Sequence, residues 1–95
     1  MEIRNDGVVL VKFGATWCGP CKMMDRILVS VANKYESDAN VMIMSVDIDQ
    51  NQEMAKEYNV TAVPTMLFFK NATQFERFEG IKSEQNIIDV IESLK

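Results

Sequence analysis

Two cysteines stand three positions apart in the stretch Trp17-Cys18-Gly19-Pro20-Cys21-Lys22, and they are the only two in this chain of 95 residues. An apolar run ends just before them and a helical pattern begins with them. The pair therefore falls at a helix start, where the helix dipole and unpaired backbone N–H groups favour a sulfur anion. A thiolate is the form that attacks disulfides, so the chemistry indicated is dithiol–disulfide exchange. On a first helical turn the second sulfur comes within bonding reach of the first with no backbone movement. Gly19 lets a partner chain approach closely, and Pro20 suits the first turn, where its missing N–H costs little. Cys18, nearer the open end, is the natural attacker. Cys21, one turn deeper, is the resolving thiol that breaks the mixed disulfide.

The same pair invites a rival use as half of a zinc or iron–sulfur site. Such a site needs about four ligands, and a chain with no histidine and no further cysteine would have to recruit carboxylates or a second copy of itself. Nucleophilic hydrolysis of the Cys–His kind lacks its base altogether. Exchange on the two sulfurs needs no bound cofactor, because they carry the electrons themselves.

The elements that must position these residues follow from periodicity. Val8 to Phe13 is an almost wholly apolar run rich in β-branched residues, as expected of a strand covered on both faces. From Cys18 to about Tyr35, Met24, Ile27, Leu28, Val31 and Tyr35 recur at helical spacing before the polar break Glu36 to Asn40. Val41 to Ile48 reads as a second buried strand. Asn51 to Tyr58 reads as a short helix with Met54, Ala55 and Tyr58 on one face. Met66 to Lys70 and Gln74 to Glu79 form an antiparallel hairpin turned at Asn71-Ala72-Thr73 and closed by Gly80. Ser83 is positioned to cap a last helix whose Ile87, Ile88, Ile91 and Leu94 face inward. Parallel pairing through a helix followed by a closing hairpin predicts an α/β fold, a mixed sheet with helices on both faces, in one domain spanning residues 1–95. Met24, Met42, Met44, Met54 and Met66 are read as core filling.

Composition narrows the function. A net charge of −4, with acidic residues scattered along the chain, argues against nucleic-acid binding, which shows as a basic face. The longest apolar runs, Val8 to Val11 and Met66 to Phe69, are far too short to cross a bilayer, so no membrane association is expected. Glu2, Arg4, Asn5 and Asp6 interrupt any leader-like stretch, which makes the cytoplasm the expected compartment.

Ala15-Thr16-Trp17-Cys18-Gly19-Pro20-Cys21-Lys22-Met23 resembles the active-site segment of the thioredoxin family. Val46-Asp47-Ile48-Asp49-Gln50-Asn51, Val63-Pro64-Thr65 and Phe78-Glu79-Gly80 match that family in order and spacing, so the likeness spans nearly the whole chain. It implies a thioredoxin-like sheet of four to five strands and a protein-disulfide oxidoreductase acting on partner proteins. It also implies recharging by a flavin-dependent thioredoxin reductase drawing on NADPH. Trp17 becomes an aromatic cap beside the reactive sulfur rather than ordinary core. The Val63–Pro64 bond becomes cis, setting the Val63 backbone beside Cys18 to pair with an extended substrate. The substrate-binding surface is then Trp17, Gly19, Pro20, Val63, Pro64, Gly80 and Ile81.

Departures from the family carry expectations of their own. Only Met1 to Gly7 precede the first strand, too few for the family's opening strand and helix, so these are expected to be reduced or absent, with Glu2 to Arg4 at most a stub of edge strand. The strand from Val41 would then lie at a sheet edge, giving a monomer with some tendency to self-associate. Lys12 occupies the position of the family's buried acid, and Ser45 that of the acid's lysine partner. A charged Lys12 near Cys21 would stabilise its thiolate and make the protein more oxidising. Buried without a partner it would turn neutral, and at the surface it would do nothing chemical. Arg26 replaces a kinking proline, which predicts a straighter helix, and Gly14 opens room beside the lysine stem. A thioredoxin-like binding or chaperone module, with exchange incidental, is the remaining alternative.

Overall fold

A computed structural model describes residues 3–95. The apolar run becomes strand β1 (Val8–Gly14), buried along its whole length. Its alternating side chains supply two cores. Val8 and Leu10 face helix α1 (Gly19–Lys34) and helix α3 (Glu84–Leu94), packing with Met24, Leu28, Val31, Tyr35, Met66, Phe68, Ile87 and Ile91. Val9, Val11 and Phe13 face the other way, with Val46, Leu67 and Phe69, under Met54 and Tyr58 from the short helix α2 (Gln52–Glu57) and its end. Burying each such side chain contributes about 1.5–3 kcal/mol, which is why the apolar stripes dictate where the helices lie.

Strand β2 (Val41–Asp47) pairs parallel with β1, and β3 (Thr65–Lys70) pairs antiparallel with β1 on its other side. Strand β4 (Thr73–Glu79) completes the order β2-β1-β3-β4. The β3–β4 turn places Asn71 at φ 50° and Ala72 at φ 66°, the doubly left-handed geometry of a tight hairpin whose twist matches its strands. Ser83 Oγ accepts from Asn86 N at 3.1 Å and caps α3. Helix α1 runs unbroken past Arg26, whose backbone supplies the donor a proline would remove.

Three expectations need correction. The second strand is not buried, because β2 is a sheet edge and most of its residues are only partly covered. Met42 on that edge is 37% exposed and is not core filling, whereas Met24 and Met66 are fully buried. Ile3 and Arg4 form no strand, so the sheet has four strands among the described residues; Glu2 lies outside them. Ile3 instead packs against the Val9 core, and Arg4 donates to Ala39 O at 2.6 Å.

The far ends of α1 and α3 are tied by a polar latch. Tyr35 Oη donates to Glu92 Oε2 at 2.6 Å, and Lys95 Nζ lies 2.8 Å from Asp38 Oδ2 and 5.4 Å from the Tyr35 ring centre. Burial, then the bond to Glu92, raises the Tyr35 phenol well above its usual 10.0. The bond to Asp38 raises the Lys95 ammonium above 10.5, and burial raises Tyr58. A raised folded pKa gives stability that is complete below the unfolded value and lost as pH climbs through the folded one. The melting temperature is therefore expected to fall as pH rises above about 10. Tyr35→Phe should lessen that alkaline fall without removing it, since Tyr58 and Lys95 remain. A pH series of thermal melts from 8 to 12 checks this, and an unchanged slope in the variant would refute it.

Candidate active site

Cys18 is the N-cap of α1, with extended backbone (φ −93°, ψ 109°), and its sulfur accepts from Cys21 N at 3.2 Å. Sulfur thus takes the place usually held by a capping oxygen on one of the helix's free N–H groups. Pro20 occupies the first turn, as its fixed φ allows, and no acidic residue in that turn offsets the positive end of the helix. Cys18 and Cys21 are joined as a disulfide with Cα atoms 5.3 Å apart. Both are buried, packed with Ala15 against Ile48 and Val63.

The loop ahead of β3 comes up against this disulfide. The Val63–Pro64 peptide is cis, and Val63 O lies 3.8 Å from Cys18 Sγ. Pro64 O accepts from Gly80 N at 2.9 Å, which holds the start of β3 to the end of β4. Gly80 has φ +85°, a backbone that side chains oppose, and Ile81 beside it is exposed. A side chain at Gly19 would meet nothing within 4 Å, so the space outside that residue is open to an incoming chain.

Trp17 is 67% exposed, which disposes of the core reading. Its Nε1 donates to Asp49 Oδ2 at 2.9 Å, and Asp49 N in turn donates to Asp47 Oδ1 at 2.8 Å. Asp49 was not singled out from the sequence for this role. It is 32 residues away, and only the return of the chain from β2 brings it beside the ring.

Lys12 neither reaches the surface nor lacks a partner. Its side chain is 6% exposed and its Nζ donates to Asp25 Oδ1, a residue that sequence reasoning passed over. The available signal was spacing, since Asp25 follows Cys21 by one helical turn on the same face. A carbon added at Gly14 would lie 2.9 Å from Lys12 Nζ and 3.3 Å from Cys21 Sγ, so Gly14 does make the room expected of it. An open cavity of about 330 Å³ beside this group is lined by Lys12, Gly14, Thr16, Lys22, Asp25 and Ser45, among others. Among the described residues no group of three or more His, Cys, Asp or Glu is placed to hold a metal ion, and no helix is long and apolar enough to cross a membrane.

A mixed sheet carrying a Cys-x-x-Cys disulfide on the first turn of its crossover helix defines a thiol–disulfide oxidoreductase. Comparison with known proteins gives the family. The thioredoxin family model matches residues 1–93. A thioredoxin of Staphylococcus saprophyticus is 40% identical over 88 residues, covering 93% of this chain and 83% of that protein, and one from Staphylococcus aureus is 38% identical over the same length. The structure of Fasciola hepatica thioredoxin superposes with a TM-score of 0.84 at 34% identity, covering 97% of this chain and 84% of that one. Nicotiana alata thioredoxin gives 0.85 at 33% identity, with coverage of 95% and 75%. The chain belongs to the thioredoxin family and is a protein-disulfide oxidoreductase.

Proposed function

We propose that Cys18 is the attacking sulfur and Cys21 the resolving one in the reduction of disulfides in partner proteins. The observation that carries this reading is the Cys18 sulfur standing as the cap of α1 with no first-turn acid beside it. In the reduced protein the Cys18 thiolate attacks one sulfur of the partner's disulfide. A Cys18–partner bond forms, the partner's own bond breaks, and its other sulfur leaves as a thiolate that takes a proton from water. Cys21, once deprotonated, attacks Cys18 Sγ, and the second partner sulfur leaves. Two electrons have passed to the partner, and the Cys18–Cys21 disulfide remains.

Trp17, Gly19, Pro20, Val63, Pro64, Gly80 and Ile81 form the receiving surface in this reading, with the Val63 backbone offered to an extended segment as an added strand would be. Recognition through backbone and a shallow apolar rim accepts many partner sequences. The domain acts as one unit over residues 1–95, as a monomer in a reducing compartment, the cytoplasm, with a reductase of thioredoxins returning the electrons. The free edge of β2, seven residues with no charge before Asp47, is where weak self-association would begin.

Reduction of insulin by dithiothreitol, followed by turbidity, tests the assignment. The wild type is expected to accelerate it, and the Cys18→Ser, Cys21→Ser double variant to match dithiothreitol alone. Wild-type activity no better than that of the double variant would leave a binding module.

A further inference from the structure

Among the described residues Lys12 is the one Lys, Arg, Asp or Glu that is buried, and the exchange steps above give it no task. Two groups lie close to its amine. One is the Cys21 sulfur, which borders the same vacant spot over Gly14 as the Lys12 Cε and Nζ atoms. The other is Asp25, one turn after Cys21 in α1, whose carboxylate receives the Lys12 Nζ hydrogen bond. The two ends of the ion pair differ sharply in exposure, 6% for the Lys12 side chain against 54% for Asp25. An ammonium has three donors, and Asp25 is the one hydrogen-bond acceptor it meets among the described residues.

We propose that Lys12 is a positioning residue for the second half of the exchange, holding the Cys21 sulfur as a thiolate, while Asp25 competes with that sulfur for the ammonium; this rests on Cys21 being the resolving thiol. In the disulfide form the Cys21 sulfur is neutral and Asp25 alone balances Lys12. When two electrons break the S–S bond, the Cys21 sulfur acquires negative charge beside a cation that low-dielectric surroundings do not screen. The sulfur released from the S–S bond is already the thiolate, and Lys12 keeps it so while Cys18 attacks the partner's disulfide. The thiolate then attacks Cys18 Sγ, the Cys18–partner bond breaks, and the partner sulfur departs with the electron pair and is protonated from water. Lys12 therefore favours the reduced state of the pair, whereas Asp25, by drawing the ammonium away and adding its own negative charge, opposes it.

The two residues are thus expected to move the redox equilibrium in opposite directions, which a loosened structure would not do. Wild type, Lys12→Met and Asp25→Asn are equilibrated with reduced and oxidised glutathione, and the dithiol fraction is read by alkylation and mass. Lys12→Met keeps the length of the stem and removes the charge. It should shift the equilibrium about tenfold toward the disulfide, a potential about 30 mV more negative. Asp25→Asn should shift it severalfold toward the dithiol. The Cys21 alkylation profile of Lys12→Met, measured with Cys18→Ser in the background, should also move to higher pH. Equal equilibrium constants in all three proteins, or shifts of the same sign in both variants, would overturn the proposal even where insulin reduction persists. A wild type that does not exchange with glutathione at all would instead overturn the assignment of Cys18 and Cys21 on which it rests.

Discussion

Cys21→Ser is expected to stall the protein half-way through its reaction, covalently attached to its substrate through Cys18. The Cys18 sulfur in that variant still accepts from the backbone N–H of residue 21 and still caps α1, so the first attack proceeds. A serine hydroxyl at position 21 cannot displace a thiolate from a disulfide, and the mixed disulfide has no internal route to release. Turnover should fall by at least about 10³-fold, the scale on which removing one member of a concerted catalytic unit is felt. Incubation with a disulfide-containing protein, followed by non-reducing electrophoresis and mass measurement, should show an adduct that dithiothreitol dissolves. Cys18→Ser should lose turnover equally and yield no adduct with a protein substrate, because Cys21 is 1% exposed and packed with Ala15 against Ile48 and Val63. Should Cys18→Ser be the variant that traps substrate, the two sulfurs have the opposite roles.

Phe68→Ala should cost most in stability. Phe68 is fully buried in the core between the sheet and helices α1 and α3, with its ring edge-on to Phe78 at 5.5 Å. Truncating a buried phenylalanine costs about 3–5 kcal/mol, because the lost transfer energy is joined by the cavity left behind. Domains of this size are stable by only about 5–15 kcal/mol, so a large share of the total would go. The melting temperature should drop by roughly 15–30 °C, with a matching fall in the urea midpoint. Phe75, on the outer face of the same hairpin and 59% exposed, is the internal control. Phe75→Ala should stay within about 0.5 kcal/mol of wild type. Equal losses in the two variants would mean that the hairpin's inner face is not part of the core.

How far the sequence could be read differs from element to element, for definable reasons. Helix α1 was legible because a capping residue, a first-turn proline and an apolar stripe at 3.6-residue spacing all agree, and its observed bounds depart from the reading by one residue. The hairpin was legible because Asn71 and Ala72 separate two runs of strand-forming residues. The environment of β2 was not, since Val41 to Asp47 is as apolar as a central strand and periodicity is silent on which neighbours a strand acquires. The same limit applies around the disulfide. Nothing local to Trp17 points to Asp49, and nothing local to Lys12 chooses between a carboxylate, a sulfur and water.

By itself, the sequence determined the local arrangement: a cysteine at a helix start, a second sulfur within its reach, and the alternating stripes that build the sheet. These depend on neighbours a few positions apart, where covalent geometry leaves few choices. Which charge lies near which sulfur, which strand is left at the edge, and how Val63 meets the disulfide, Gly80 meets Pro64 and Asp49 meets Trp17 were decided only by the tertiary structure. Each joins segments whose separation along the chain carries no information about their distance in space, and that distance is set by how the two cores close around β1.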